Sequence, residues 1–212
     1  MSRPTICNWT PVDFEAVCLL QDANGGDFVV LNGTFSTFSN IVVFPSMTRS
    51  VIITSANDLT GVTFTINGTS NGQDISENLV GPNNGIATSL NLFSTITSIT
   101  VDNDALEFAI GTGPTGHTGW ILYNYNQPSY NQVSIAVKVT GNITYSFQAT
   151  LDDITTIPAA DVYSFDSTGG QLTNQNANAI GASPACVRYY CIFVNAAADD
   201  ASLNATFLPQ GI

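Results

Sequence analysis

Short runs of alternating apolar and polar residues recur along this chain. In Val62–Ile66, the apolar side chains of Val62, Phe64 and Ile66 fall at every second position, with a threonine between each pair. Because successive side chains of a strand point to opposite faces, this period of two places the apolar side chains on one face. Threonine on the exposed face and branched or aromatic residues on the buried face are typical of a β-sandwich strand.

Further runs of this type predict strands throughout the chain, and turn residues separate them. No segment keeps an apolar period of 3.6 residues over three turns. The nearest, Gln171–Ala182, contains too many asparagines and a glycine to predict more than a loop with one helical turn. The predicted strands are Val51–Ser55, Val62–Ile66, Ile75–Val80, Thr88–Phe93, Ile96–Val101, Leu106–Ile110, Trp120–Tyr125, Val133–Val139, Ile143–Ala149, Val187–Val194 and Ser202–Leu208.

Asparagine–glycine pairs predict tight turns within this pattern. Asn67-Gly68 and Asn71-Gly72 both supply residues that accept a positive φ.

A hairpin is predicted between Val133–Val139 and Ile143–Ala149. A three-residue loop, Thr140–Asn142, pairs Val139 with Ile143 and leaves one apolar face shared by the two strands.

A glycine-rich stretch, Gly111–Gly116, predicts a boundary between two units, since it holds three glycines and one proline. We divide the chain into 1–112, an N-terminal arm plus a β-sandwich with its module at 50–112, and 117–212, a second β-sandwich with long loops. The predicted fold is all-β, with two sandwich-like units of jelly-roll or immunoglobulin-like type built from short antiparallel strands. The long connection Asp152–Ala185 is either a surface excursion or a segment that reaches a neighbouring subunit.

The low content of basic residues limits which classes of partner the chain can bind. The 212 residues include 4 basic and 16 acidic side chains, which gives a formal net charge of −12, and only 9% of the chain is charged. A typical domain has about 25%. Few cations argue against binding to nucleic acid or to an anionic membrane surface. There is no run of 18 apolar residues and no secretory leader at the start given, so we expect a soluble protein made in the cytoplasm.

The sequence predicts neither a metal nor a cofactor. The spacing of Cys7, Cys18, Cys186 and Cys191 does not fit a zinc site, and buried free thiols are expected instead. Asp102-Asn103-Asp104 is similar to half of a calcium loop, but the repeat does not continue, so a turn is favoured.

The pattern also argues against an enzyme. The single histidine, His117, lies in the glycine-rich stretch, where we expect an exposed residue without a catalytic role. The adjacent acids Asp152-Asp153 and Asp199-Asp200 would point to opposite sides of an extended chain and could not flank one glycosidic bond. A hydrolase acting on envelope sugars therefore lacks a persuasive acid pair. Asp58, Asp161 and Asp166 are interpreted as loop and capping groups.

Aromatic residues supply the candidate binding residues. Trp120, Tyr123, Tyr125 and Tyr130 lie among amides, a combination that suits either a carbohydrate platform or a protein interface, and we favour the interface. The segment Val187–Val194 is apolar on both faces, so it is either a central strand or partly covered by another chain. The predicted interface residues are Trp9, Trp120, Tyr123, Tyr125, Tyr130 and Tyr190.

Several stretches resemble a module of small structural proteins of tailed bacteriophages. The resemblance runs through Ser50–Thr69, through Ile75–Gly85 with its E-x-x-x-G-P-N-x-G rhythm, and through Phe93–Val101 to Ile110–Gly113. It covers about the middle third of the chain, while Val137–Thr140, Ile143–Thr150 and Asp152-Asp153 are similar but looser. Its motif consists of turn and packing residues and carries no catalytic residue.

This resemblance implies an all-β virion component without enzymatic activity. The expected form is a head decoration (cement) protein that binds the assembled capsid in many copies, and the alternative is a tail, neck or fibre protein that binds a receptor or carbohydrate. Expected partners are the major capsid protein or tail proteins and further copies of the chain, a trimer by analogy. Residues 1–45 lie outside the resemblance, and an extended arm docked on another subunit is one role for them.

Overall fold

The computed structural model describes residues 4–123, 130–184 and 187–211, and this part of the chain is all-β, with antiparallel strands in sandwich-like sheets. One 3₁₀ turn, Ala159–Asp161, is present in these ranges. The strands are β1 Thr5–Trp9, β2 Cys18–Ala23, β3 Val42–Val43, β4 Met47–Asp58, β5 Thr63–Ser70, β6 Gln73–Val80, β7 Asn83–Thr88, β8 Thr95–Val101, β9 Ala105–Thr118, β10 Ile121–Leu122, β11 Tyr130–Thr140, β12 Ile143–Thr150, β13 Ala179–Pro184, β14 Tyr189–Ala197 and β15 Ser202–Gly211.

The chain forms two compact units. The central unit is Val12–Gly113, and the terminal unit combines Met1–Pro11 with Pro114–Ile212. Strand β9 belongs to the central unit up to Gly113 and to the terminal unit from Pro114 onward. The glycine-rich stretch is therefore part of a strand, and not the interruption that we expected. The N-terminal residues also differ from the expectation, because β1 pairs with β15 of the same chain instead of forming an arm.

The central unit packs one sheet of order β3-β8-β5-β6 against a second in which β2, β9, β4 and β7 are neighbours. Their shared core includes Val62, Phe64 and Ile66, while Thr63 and Thr65 are only half-buried. The alternation in this strand is thus confirmed. Phe64 also meets Phe108 of β9 edge to face, with 5.2 Å between ring centroids, an arrangement that aromatic pairs prefer.

One of the two predicted asparagine–glycine turns is confirmed. Asn71 and Gly72 have φ values of 51° and 83° and connect β5 to β6, with Ser70 opposite Gln73. The twist of such a turn matches that of the strands it joins. Asn67-Gly68 instead lies inside β5, where the register against β8 shifts, so that prediction was wrong.

The terminal unit packs a sheet of order β1-β15-β11-β13 against strands β12 and β14, with β10 and the end of β9 also paired to β14. The predicted hairpin is wrong: Val139 lies opposite Leu203 of β15, and Ile143 lies opposite Ala197 of β14. The two strands belong to different sheets and face each other across the core. Their apolar faces were correctly identified, because Val137 and Tyr145, for example, are both buried in that core.

The long connection after β12 packs on its own unit. The backbone N–H groups of Tyr145, Phe147 and Ala149 donate to the carbonyl oxygens of Gln175, Leu172 and Phe165. The segment therefore covers the free edge of β12, an edge that would otherwise expose unpaired backbone groups. These contacts favour the surface excursion over a reach toward a neighbour.

Sequence patterns also misplaced some strands. The region Gln171–Ala182 contains the start of β13 and not a helical turn, and β7 ends at Thr88, where the predicted strand Thr88–Phe93 was expected to begin. Strands β1, β2, β3, β7 and β13 were not predicted. They are short, and their position in a sheet depends on partners that are distant in the chain.

A buried arginine links strands β4 and β9 of the central unit. Arg49 of β4 is fully buried, and its Nε and Nη2 atoms donate to the carbonyl oxygen of Gly113 at 3.1 and 2.7 Å. Burial lowers the pKa of Arg49 to about 10, although the charge of Asp13 raises it. The guanidinium therefore stays charged at neutral pH and ties β4 to the residue where β9 leaves the unit.

Gly68 provides a test of packing in β5. A β-carbon at this position would collide with the carbonyl oxygen of Thr95, so we expect Gly68→Ala to lower the free energy of unfolding by about 1–3 kcal/mol, measured by urea denaturation. Gly61→Ala is the matched control, because a β-carbon at Gly61 would meet nothing within 4 Å. Equal stability of the two variants would contradict the close approach of β5 and β8.

Candidate functional site

The aromatic residues predicted for an interface are largely in the core. Trp9, Tyr123 and Tyr190 are buried in the terminal unit, with 1%, 2% and 2% of their surface exposed. Trp120 is half-buried. Tyr125 and the side chain of Tyr130 lie outside the described residues. The interface prediction is therefore corrected for three residues, because Trp9 of β1, Tyr190 of β14 and Tyr123, which follows β10, all pack in the core of the terminal unit.

Tyr190 lies at the centre of this aromatic core. Its ring is 4.9 Å from that of Phe207, 6.2 Å from that of Phe147 and 6.4 Å from that of Tyr123, measured between centroids. Burial raises the pKa of Tyr190, with smaller contributions from Cys7 and Tyr123. The apolar character of both faces of this segment is thus explained by a central strand.

His117 is buried and not at the surface as we expected. Its ring packs against those of Phe193 and Trp120, at centroid distances of 5.0 and 5.6 Å. Nδ1 donates to the carbonyl oxygen of Thr118 at 2.7 Å, because a carbonyl oxygen can only accept. Burial lowers the pKa of His117 to about 4, so the ring is neutral at physiological pH. This hydrogen bond goes to a main-chain oxygen and not to a serine or cysteine nucleophile.

The described cysteines are packing residues. Cys7, Cys18 and Cys191 are free and buried, which confirms the expectation for these three, and Cys186 lies outside the described residues. Burial raises the pKa of Cys18 to about 12 and that of Cys7 and Cys191 as well. A thiol nucleophile acts as the thiolate, so these values disfavour reactivity.

The carboxylates of Asp58 and Asp166 form hydrogen bonds within their own loops. Asp58 accepts from the Thr60 hydroxyl at 2.7 Å and from its backbone N–H at 3.0 Å, and these bonds lower the pKa of Asp58. Asp166 accepts from the backbone N–H groups of Thr168 and Gly170 and from the hydroxyls of Thr168 and Thr173. Partial burial raises the pKa of Asp166, but these hydrogen bonds outweigh it and the net shift is downward. Such bonds fix turns, as predicted for both acids.

Two further findings limit the chemistry of the described ranges. No cluster of three or more His, Cys, Asp or Glu residues there could hold a metal ion. Over the same residues, no helix has the length and apolar character that a bilayer crossing requires.

The sheet β1-β15-β11-β13 carries the candidate site. On each of its strands, alternate residues enter the core and the residues between them face outward. Ile6 of β1, Thr206 of β15, Ala136 of β11 and Ile180 of β13 lie in one row across the sheet, because each is the register partner of the next. We name the outward residues the outer face; they are Ile6, Asn8, Gln132, Ser134, Ala136, Lys138, Ile180, Ala182, Asn204, Thr206 and Leu208.

The outer face is apolar and amide-rich with a single charge. Ile180 is 81% exposed and Ile6 57% exposed, and Asn204 donates from Nδ2 to Oδ1 of Asn8 at 2.6 Å. A shallow groove of about 560 Å³ lies in this face between Lys138, Ala136, Ile180, Asn204 and Thr206. Lys138 is the only charged residue among those that form the face.

Lys138 is unusual among the basic residues. Arg49 is buried, Arg188 forms a salt bridge with Asp153 at 2.8 Å, and Arg3 lies outside the described residues. Within the described ranges, Lys138 is thus the one exposed basic side chain outside a salt bridge. An ammonium in a neutral groove is electrostatically complementary to a negative group with apolar surroundings.

Sequence reasoning missed the outer face. The alternation of Val133–Val139 and Ser202–Leu208 already indicated which residues of β11 and β15 point outward. The face itself needs β1 and β13 at the two edges, and both pair over distances that no local pattern shows.

Comparisons with known proteins identify no relative: the chain matches no protein-family model, no curated protein and no solved structure.

The burial of His117 predicts a pH dependence. The folded protein keeps the ring neutral down to a pKa of about 4, whereas the unfolded chain takes up a proton near 6.5. Because the unfolded state binds more protons between these values, we expect stability to fall by roughly 3 kcal/mol as the pH drops from about 6.5 to about 4. Above pH 6.5 this residue should contribute no slope.

Urea denaturation of the wild type and of His117→Gln at several pH values provides the measurement. The carboxylates titrate in both proteins, so the difference between their pH profiles isolates the histidine. Parallel profiles between pH 6.5 and 4.5 would show that His117 is accessible to protons in the folded state.

Proposed function

We propose that this chain is a non-enzymatic structural protein of an assembled particle and that it works by adhesion to neighbouring subunits. The observation that carries this proposal is the outer face, in which Ile6, Ile180 and Leu208 are exposed around one charge, Lys138. The chain as a whole is acidic, with a formal net charge of −12.

Depletion of charge is the compositional signal of a protein interface. Interface centres lose charged residues relative to the remaining surface, while their overall apolar content is ordinary. Exposed apolar side chains gathered on one face also mark interaction sites, whereas scattered ones need no explanation. The outer face has the second property, because Ile6, Ile180 and Leu208 are exposed on it, while its one charged residue in eleven matches the low charge of the whole chain, 9%.

The state of the reactive groups supports a non-enzymatic role. His117 is buried against two aromatic rings, and three cysteines are buried with raised pKa values. The carboxylates of Asp58 and Asp166 are occupied by hydrogen bonds within their own loops. Each of these groups is used for packing or for turns.

The size of the face favours attachment in many copies. Four strands at a spacing of about 4.8 Å, each with some six residues rising about 3.3 Å apiece, cover about 400 Å². A stable interface needs about 800 Å² from each partner. A single contact through this face would therefore be weak, and an oligomer that presents several outer faces to a repeated lattice would gain strength from multiple simultaneous contacts.

The specific form that we propose is a head decoration (cement) protein of a tailed bacteriophage, located in the virion. The support for this step is the resemblance over Ser50–Thr69, Ile75–Gly85 and Phe93–Gly113, together with the all-β fold. The partners would be the major capsid protein and other copies of the chain.

A tail or fibre protein that binds a receptor or carbohydrate is the alternative. This alternative requires an exposed aromatic platform. In the structure, however, Tyr123 is buried and Trp120 is half-buried against His117 and Phe193. No observation on the described residues favours it over decoration. Specific binding on a glycan array, lost in Tyr125→Ala, would favour the alternative.

Location and salt resistance test the proposal directly. We expect cryo-electron microscopy of particles from the virus that encodes this chain to show it on the shell in many copies. We also expect it to remain bound after washing in about 0.5 M NaCl, because an interface with few charges is little affected by screening. Absence from the particle, or release in this salt, would contradict the proposal.

A charge placed in the outer face tests the surface itself. Ser134→Asp should reduce the copy number per particle at least several-fold, because Ser134 lies four residues from Lys138 along β11 and an unpaired buried carboxylate opposes association. Ser76→Asp, on exposed β6 of the central unit, is the matched control. Copy numbers measured by quantitative mass spectrometry should differ between the two variants, and equal incorporation would remove the outer face from the proposal.

A further inference from the structure

We propose that the groove of the outer face receives Phe28 and Asp27 from a second copy of this chain, in a head-to-tail contact. The inference deepens the proposed function, in that both treat the outer face as a binding surface. It adds the identity of the neighbour and the residues that it inserts.

The inserted element is an exposed aromatic residue next to a carboxylate. Phe28 in the central unit is 70% exposed, and the exposed Asp27 precedes it in the chain. Asp22, also exposed, lines the same shallow depression of about 290 Å³. We name Asp27 and Phe28 the knob.

The knob is held in place by its own unit. The backbone N–H of Asp27 donates to the carbonyl oxygen of Asn24 at 3.0 Å, and Val101 donates back to that of Asp27 at 3.3 Å. Asn24 Nδ2 donates to Asp27 Oδ2 at 3.0 Å, and Phe28 forms a bridge with Thr100. A side chain presented by a fixed backbone loses less entropy on binding, so the knob is preorganised.

The knob and the groove are complementary in polarity and in charge. The groove has apolar walls in Ala136 and Ile180 and an ammonium in Lys138. An aromatic ring in a pocket is the commonest kind of interface anchor, and Asp27 would bring a carboxylate toward the lysine. Lys138 takes no part in the salt bridge between Arg188 and Asp153. Its ammonium is therefore available to a carboxylate of another copy.

The carboxylate next to Phe28 makes it a better partner for the groove than Phe38, the other exposed phenylalanine. Phe38 is more exposed, at 114%, but its neighbours in the chain are Thr37 and Ser39. It could fill an apolar groove, yet it brings no negative group to Lys138. Phe38 is therefore a suitable control for exposure alone.

The two surfaces imply a particular symmetry. If two outer faces met each other symmetrically, each Lys138 would approach the other Lys138 or remain without a carboxylate. A contact between different surfaces, the groove of one copy and the knob of the next, is heterologous. Such contacts close into rings when the rotation allows, and every copy then makes two contacts.

The chain supplies its own probe for this contact. A carbodiimide activates carboxylates and joins them directly to amines, and because Lys138 is the only lysine, the amine of each such amide must come from Lys138 or from the amino terminus. We expect intermolecular coupling of Lys138 to Asp27 or Asp22, identified by mass spectrometry on a mixture of isotope-labelled and unlabelled full-length protein. Sedimentation velocity up to about 100 µM should show concentration-dependent association, as expected for a contact of moderate strength.

Variants at exposed positions separate the contact from folding. We expect Lys138→Glu, Asp27→Lys and Phe28→Ala each to weaken association about tenfold or more, as loss of an interface anchor does. The double variant Lys138→Glu/Asp27→Lys should recover association, because it restores the opposite charges. Phe38→Ala should associate like the wild type. Lys138→Arg should also associate but lose the coupling. Unchanged circular dichroism and melting temperatures confirm folding.

Three outcomes would overturn the inference: a protein that stays monomeric at the highest concentration, Lys138 coupled to carboxylates other than those of Asp22 and Asp27, or association unaffected by Lys138→Glu. None of these would alter the location of the chain on a particle. Conversely, a chain absent from particles that still forms the predicted coupling would contradict the proposed function alone.

Discussion

Burial of alternate side chains is the interaction on which this structure depends. Each strand carries apolar residues on one face, and strands assemble so that these faces meet in two separate cores. Helix propensity and ionic contacts contribute little, because the chain is poor in charge and the described residues contain one salt bridge. The remaining polar residues are consequently available for turns and for exposed faces.

The asparagines, threonines and aspartates stabilise the connections between strands. Asp58 and Asp166 each bind nearby backbone and hydroxyl groups, and these bonds hold loops whose backbone would otherwise need water. Local hydrogen bonds of this kind replace the surface ion pairs of an ordinary domain. They also account for most of the lowered pKa values, so perturbed carboxylates in this protein mark turns and not a reactive centre.

The same shortage of charge shapes the proposed binding surfaces. A face made of isoleucine, alanine, threonine and asparagine has little to repel a neighbouring protein, and Lys138 supplies its one directional feature. An acidic chain discourages random association through net repulsion. A single cation in a neutral groove then favours one orientation of an acidic partner, which gives specificity without a large electrostatic contribution to affinity.

The sequence by itself determined that the chain is all-β, which face of strands such as Val62–Ile66 and Val133–Val139 is buried, and the structural use of Asp58 and Asp166, because these follow from residues that are neighbours in the chain. Tertiary structure alone decided the partners: β11 faces β12 across the core instead of pairing with it, and β1 joins β15 from the opposite end of the chain. For this reason Trp9, Tyr190 and His117 were expected at a surface and are buried, while the outer face was not recognised. A period of two shows which side chains share a face, but pairing over long sequence distances depends on how complete cores pack, and no local pattern contains that information.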